Sequence, residues 1–193
     1  MIFQAKSGHK IFYDMQKRTI LFFSMFAILS SACGQTNTAN RLGRCENPKF
    51  DREVAAWLKF TVPAIDVDSL RGQQQEGVII FDAREPAEYA VSHIEGAINC
   101  GYDHFDHALL DSLDKSRPVV VYCSIGYRSE KIAQKLTAAG FSKVSNLYGS
   151  IFEWVNRGYP VVDAAGRATP RIHTYNSAWG RWVRRAGVKK VTR

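Results

Sequence analysis

Apolar positions along the chain alternate between short continuous runs and stretches of helical spacing, and together they predict an α/β fold. Val119-Val120-Val121-Tyr122, after Arg117-Pro118, is the clearest run. Consecutive β-branched residues suit a strand buried on both faces of a parallel sheet. Over 129–139 the spacing changes, with Ile132, Ala133 and Leu136 on one side of a helix and Gly140 as its stop. Upstream, Ile65 marks a first short strand. Asp66 or Asp68 caps a helix running through Arg71 to Gln75, and Gly77 ends it before a strand over 78–81. Pro86 fits the first turn of the next helix, with Glu85 and Glu88 at its positive end. Strands are expected over 97–99 and 144–147. Helices are expected through Leu109, Leu110 and Leu113 and over 151–156, with Trp154 in the core. Over 49–60, Phe50, Val54, Trp57 and Leu58 predict a short helix packed on the domain edge, with Trp57 buried in the core.

The first 32 residues read as a targeting segment. Lys17 and Arg18 precede an uncharged apolar run over 19–29, and Ser30-Ser31-Ala32-Cys33 follows. The run is short for a bilayer span. It resembles a bacterial lipoprotein signal, which implies lipidation at Cys33, export, and a membrane-anchored protein of the cell envelope; cleavage without lipidation and an uncleaved anchor are the alternatives. Met15 would give that signal a conventional start. Residues 34–44 are polar and aperiodic, so 33–47 is expected to be the lipidated cysteine and a flexible tether, ahead of a single domain over 48–163.

Composition sharpens this division. With 193 residues and 46% hydrophobic content, the chain can bury one full core. The formal net charge is +8, yet residues 164–193 carry eight basic residues and no acidic one. The excess therefore lies in a basic C-terminal extension and the N-terminal segment, while the domain between is slightly acidic. A nucleic-acid partner is not expected outside the cytoplasm, and no obligate protein partner is evident. Trp179 and Trp182, near His173 and Tyr175, suggest that the first half of the extension packs back on the domain.

The candidate chemistry sits where the 119–122 strand meets the following helix. A thiolate at Cys123 would face unpaired amides and the positive end of the helix dipole. Gly126 permits tight curvature, and Arg128 adds a fixed positive charge that lowers the thiol pKa and attracts an anion. Ser124, Ile125, Gly126, Tyr127 and Arg128 form the candidate binding loop. Asp82 falls at the end of its strand, at the sheet edge where ligands bind in open α/β folds, so Asp82, Arg84 and Ser129 are candidate supporting residues, the first two as an internal ion pair.

Cys123 to Arg128, with four residues between cysteine and arginine, resembles the active loop of the rhodanese family. Resemblance extends to residues 78–89, to His93-Ile94-Glu95-Gly96-Ala97-Ile98-Asn99, and to Gly149-Ser150-Ile151-Phe152-Glu153-Trp154 with Gly158-Tyr159-Pro160-Val161, in the family's order over roughly 61–163. It implies a rhodanese-like parallel sheet flanked by helices, and a sulfurtransferase needing no cofactor or metal. Cys123 would take sulfane sulfur from a small sulfur-containing anion, hold it as a persulfide, and pass it to a thiol acceptor whose identity is open. Cysteine-dependent phosphatases and arsenate reductases place five residues in the corresponding loop, so that chemistry is a less favoured alternative. A non-catalytic binding module of the same fold and a redox protein remain the others. Ser150 stands where the family commonly has glycine, a departure expected to bear on packing. Cys45 and Cys100 are left either to pair or to stay as buried thiols, and Cys100 through His107 is read as the polar start of a helix rather than a metal site.

Overall fold

The computed structural model describes residues 44–192. The expected signal segment, Cys33 and residues 34–43 of the expected tether lie outside the described residues. From residue 44 onward the chain is already fixed. The amides of Arg44 and Cys45 donate to Asp51 Oδ1 (3.0 and 2.9 Å), and that of Glu46 donates to Glu153 Oε1 (2.8 Å). Residues 44–47, expected in the tether, thus belong to the folded domain.

A five-stranded parallel sheet has the order β1-β5-β4-β2-β3, with β1 Ala64–Ile65, β2 Ile79–Asp82, β3 Ile98–Asn99, β4 Val119–Tyr122 and β5 Val144–Leu147. β4 is central: Val121 pairs with Phe81 on one side and Asn146 on the other. Both of its faces are buried, as the valine run predicts. Helices α1 (Pro48–Trp57), α2 (Val67–Gln73), α3 (Pro86–Val91), α4 (Tyr127–Ala138) and α5 (Ser150–Asn156) complete the layers. Strand alternation divides the core. Ile80, Val120 and Tyr122 pack with Phe50, Val54, Leu70 and Phe152 on one face; Phe81, Val121 and Cys123 pack with Ile132, Ala133 and Leu136 of α4 on the other.

That division settles the spare cysteines. Cys45 belongs to the first cluster and Cys100 to the second, and both are buried free thiols. The cap of α2 is Asp66, whose Oδ1 accepts from the Ser69 amide at 2.8 Å. Asp68 instead receives the Tyr159 hydroxyl (2.6 Å) and Arg157 Nη1 (3.1 Å). The helix expected through Leu113 is only a 3-10 turn, His107–Leu110. Asp114 draws the chain into a tight turn by accepting from both the amide and the hydroxyl of Ser116, at 2.9 and 2.7 Å, an alternative to helix that aspartate and serine favour.

The basic extension is not an appendage. β6 (Arg171–His173) and β7 (Lys189–Val191) form a parallel pair, with α6 (Ser177–Gly180) between them. Ile172 and Val183 are fully buried in the first cluster, and the Trp182 ring stacks on Phe50 at 5.5 Å. The packing therefore runs past the first half of the extension. Its arginines and lysines within the described residues project from a folded surface whose apolar positions close the core.

Candidate active site

β4 ends at Tyr122, so Cys123 emerges at the C-terminal edge of the central strand and α4 starts at Tyr127. The helix begins two residues earlier than its apolar spacing predicts, because Gly126 serves as N-cap with φ 121°, a conformation that favours glycine. Carbonyls on the outside of the loop are tied down. Cys123 O accepts from the Ile151 amide (3.3 Å) and Ser124 O from the Phe152 amide (3.2 Å), while Gly126 O accepts from Asn146 Nδ2 (3.0 Å). With its carbonyls turned outward, the loop presents the Gly126 amide inward, 3.2 Å from Cys123 Sγ.

Burial pushes the Cys123 thiol up, but the Arg128 guanidinium, the hydroxyl and amide of Ser129, and the Gly126 amide together outweigh it. The net shift is below the ordinary thiol range. Ser129 Oγ also lies 2.7 Å from Asn146 Oδ1, so its single proton serves the asparagine or the sulfur. Cys45 and Cys100 are opposite cases. Burial raises the Cys100 thiol to about 12, and burial with neighbouring Glu153 and Asp51 raises Cys45 further. Of the described thiols, only Cys123 is shifted toward the thiolate.

Arg128 is held as a fork. Nη1 and Nη2 donate to Glu88 Oε2 and Oε1 (2.6 and 2.9 Å), and Nη2 also donates to Ser124 Oγ at 3.1 Å. Burial opposes ionisation of Glu88, but the hydrogen bonds and charge of Arg128 hold its carboxyl below the usual range. His173 Nδ1 lies 3.7 Å from the same carboxylate yet accepts the Tyr175 amide at 3.1 Å, so that nitrogen carries no proton. Burial also lowers the His173 pKa, in the same direction as the Tyr175 amide bond.

Asp82 and Arg84 form a sealed ion pair, Nη2 to Oδ2 2.6 Å, with neither side chain exposed. The Tyr122 hydroxyl donates to Asp82 Oδ2 (2.7 Å) and Arg84 Nη2 to Ser92 O (2.6 Å). This pair lies beneath the sheet edge and does not line the cavity. Ser150 matters more than a packing substitution: its hydroxyl accepts the Cys123 amide at 3.1 Å and donates to Leu147 O at 3.0 Å. Its φ of 51° is left-handed, which explains why glycine suits this position.

Above the sulfur opens a cavity of about 360 Å³ lined by Ser124, Ile125, Tyr127 and Arg128, and also by Trp57, Glu85, Tyr102, Asp103, Tyr175 and Trp179. The structure thus gathers the candidate loop around Cys123, with Ser129 behind it. Trp57, expected in the core, is 43% exposed and faces the cavity; at the end of α1 only one of Trp57 and Leu58 can point inward, and Leu58 does. Glu88 was legible only as a helix-start carboxylate. Tyr102, Tyr175 and Trp179 carry no local signal beyond aromatic density, because long-range packing brings them here.

Comparison with known proteins agrees with this geometry. Residues 66–157 match the rhodanese-like domain family. The chain is 36% identical over 107 residues to a protein named sulfurtransferase from Allochromatium vinosum, covering 54% of this chain and 99% of that one. It is 30% identical over 110 residues to the thiosulfate:glutathione sulfurtransferase of Saccharomyces cerevisiae, covering 51% and 79%. Among solved structures, the rhodanese-like domain of an Anabaena protein superposes with a TM-score of 0.50 at 28% identity, over 57% of this chain and 86% of that one. The chain therefore belongs to the rhodanese-like family, with relatives named as sulfurtransferases.

Proposed function

We propose that this protein is an envelope sulfurtransferase that carries sulfane sulfur on Cys123. The observation that carries the reading is the Cys123 thiol itself, lowered in pKa and 3.2 Å from the Gly126 amide, in a loop with four residues before Arg128. The Cys123 thiolate attacks the outer sulfur of a thiosulfate-type donor. A new S–S bond forms, the donor's S–S bond breaks, and sulfite leaves with the electron pair. The loop amides and Arg128 stabilise the resulting persulfide anion. An acceptor thiolate then attacks the outer sulfur, forming its own persulfide and returning Cys123 as thiolate. Each half-reaction is balanced without an external oxidant or reductant, and the cycle is ping-pong. The yeast relative's name includes thiosulfate, which makes thiosulfate the first donor to test.

Intact mass of residues 34–193, before and after thiosulfate, tests this directly. We expect a gain of one sulfur atom, absent in Cys123→Ser and removed by cyanide. A folded protein with a free Cys123 thiol that gains nothing from thiosulfate or a polysulfide would point instead to a binding module.

The envelope part of the reading rests on Lys17, Arg18, the apolar run over 19–29 and Cys33. Expressed with its leader in a bacterial host, the protein is expected in the membrane fraction with an acylated N-terminal Cys33. Cys33→Ala is expected to abolish acylation; an unmodified wild-type Cys33 would defeat the assignment.

A further inference from the structure

Five aromatic side chains, Trp57, Tyr102, Tyr127, Tyr175 and Trp179, stand around the mouth above Cys123. A thiosulfate-sized anion is served by loop amides at the floor and uses none of these walls. Three of the five come from segments flanking the family match at 66–157: Trp57 from α1, Tyr175 and Trp179 from the C-terminal extension. They are built into one another. Trp57 meets Trp179 edge-on at 5.5 Å and Tyr127 at 5.6 Å, and its indole N–H is already satisfied by Glu53 Oε1 at 3.0 Å. Tyr175 is 58% exposed yet held at φ 64°, a strained conformation for a tyrosine, and its ring lies 5.7 Å from the Arg128 guanidinium. Strain and exposure together at an aromatic residue have no use in packing the core. Besides Ser124 and Arg128, the lining carries the carboxylates of Glu85 and Asp103; Glu85 Oε1 accepts the Asp103 amide at 3.3 Å, and neither carboxylate makes an ion pair among the described residues.

Resting on the sulfur-transfer reading, we propose that this collar selects the acceptor, and that the acceptor is a small thiol with a flat, aromatic or unsaturated body that bears no negative charge. Flat rings stack on flat rings, and a cavity of about 360 Å³ suits a small molecule. Glu85 and Asp103 disfavour a dicarboxylate such as glutathione. The flanking segments thereby convert a sulfur-accepting loop into a site that distinguishes one thiol from another.

The test is a double ratio on the segment 34–193, loaded with thiosulfate. Acceptor kcat/KM is measured for benzyl thiol, 2-mercaptoethanol and glutathione, three alkyl thiols of similar intrinsic reactivity, with cyanide as an acceptor too small to touch the collar. Benzyl thiol is expected to exceed 2-mercaptoethanol by about tenfold or more and to exceed glutathione by a wider margin. In Trp57→Ala and Trp179→Ala the benzyl-to-mercaptoethanol ratio falls toward one, while Trp57→Phe keeps most of it. A purely structural role would lower every acceptor together, cyanide included, and leave the ratios unmoved. That result, or a wild-type ratio near one, overturns the collar assignment while leaving the persulfide chemistry standing. Failure to load sulfur at all overturns the proposed function instead, and the mass measurement separates the two.

Discussion

Replacing Arg128 by methionine is expected to slow persulfide formation by about 10²- to 10³-fold, the scale seen when one preorganised donor to a developing anion is removed. The same change should raise the pH at which Cys123 becomes reactive. Arg128 is the leading influence pulling the thiol down against burial, so without it the alkylation midpoint moves upward and less thiolate exists at neutral pH. Glu88 complicates the single variant, because its buried carboxylate would lose both guanidinium bonds (2.6 and 2.9 Å) and keep only the Glu85 amide (3.1 Å) as hydrogen-bond donor. Arg128→Met alone should therefore lose stability as well as rate. The pair Arg128→Met with Glu88→Gln removes both charges, and is expected to recover much of the stability while the rate stays low. Arg128→Lys keeps a charge but not the fork, and should fall between. Stopped-flow loading with thiosulfate and iodoacetamide alkylation across pH 5 to 10 read the two effects. An unchanged loading rate in the folded double variant would remove Arg128 from the chemistry.

The difference between Arg128 and Glu88 shows which parts of this protein can be read from its sequence. Sheet strands announce themselves because burial on both faces demands an unbroken apolar run, as over Val119–Tyr122, and the strand-to-helix turn follows from the change of period at Cys123. Cys123 and Arg128 share one loop, so their proximity is local. Glu88 lies 40 residues from Arg128, and its role depends on the parallel pairing of β2 with β4, which brings the helix after one strand beside the loop after the other. The mouth was hardest. Trp57 satisfies a helical apolar pattern equally well facing in or out, and the choice is made by Leu58 and by Trp179, over a hundred residues away. The extension was legible only in part for a related reason: eight charges dominate its composition, and although its tryptophans point to packing on the domain, Ile172 and Val183, which carry that packing past its first half, are sparse. Ser150 was visible as a departure, but its bond to the Cys123 amide depends on α5 folding back beside the loop.

The second large effect concerns stability. Asp82→Ala is expected to destabilise the domain by about 3–5 kcal/mol, the range for breaking a buried ion pair by removing one partner. The reason lies in what remains. Arg84 is fully buried, and Nε and Nη2 both donate to the Asp82 carboxylate; after the change its charge would keep only the Ser92 carbonyl. Burial disfavours the charged form of Arg84, but a guanidinium is too basic to give up its proton, so the cation remains when its partner is lost. The Tyr122 hydroxyl loses its acceptor as well, at the last residue of β4 before the nucleophile. Asp82→Ala with Arg84→Leu should restore part of the loss, because two apolar side chains leave no uncompensated charge. Urea unfolding followed by tryptophan fluorescence gives the free energies. If the single variant loses less than about 1 kcal/mol, the level of an exposed pair, the pair does not hold the edge together. The distinction from Arg128 is then measurable: Asp82→Ala should lower the melting point far more than Arg128→Met with Glu88→Gln, while in the molecules that stay folded it should slow sulfur loading far less. An ion pair sealed under the sheet edge supports the strand that carries Cys123, whereas the one at the cavity acts on the sulfur itself.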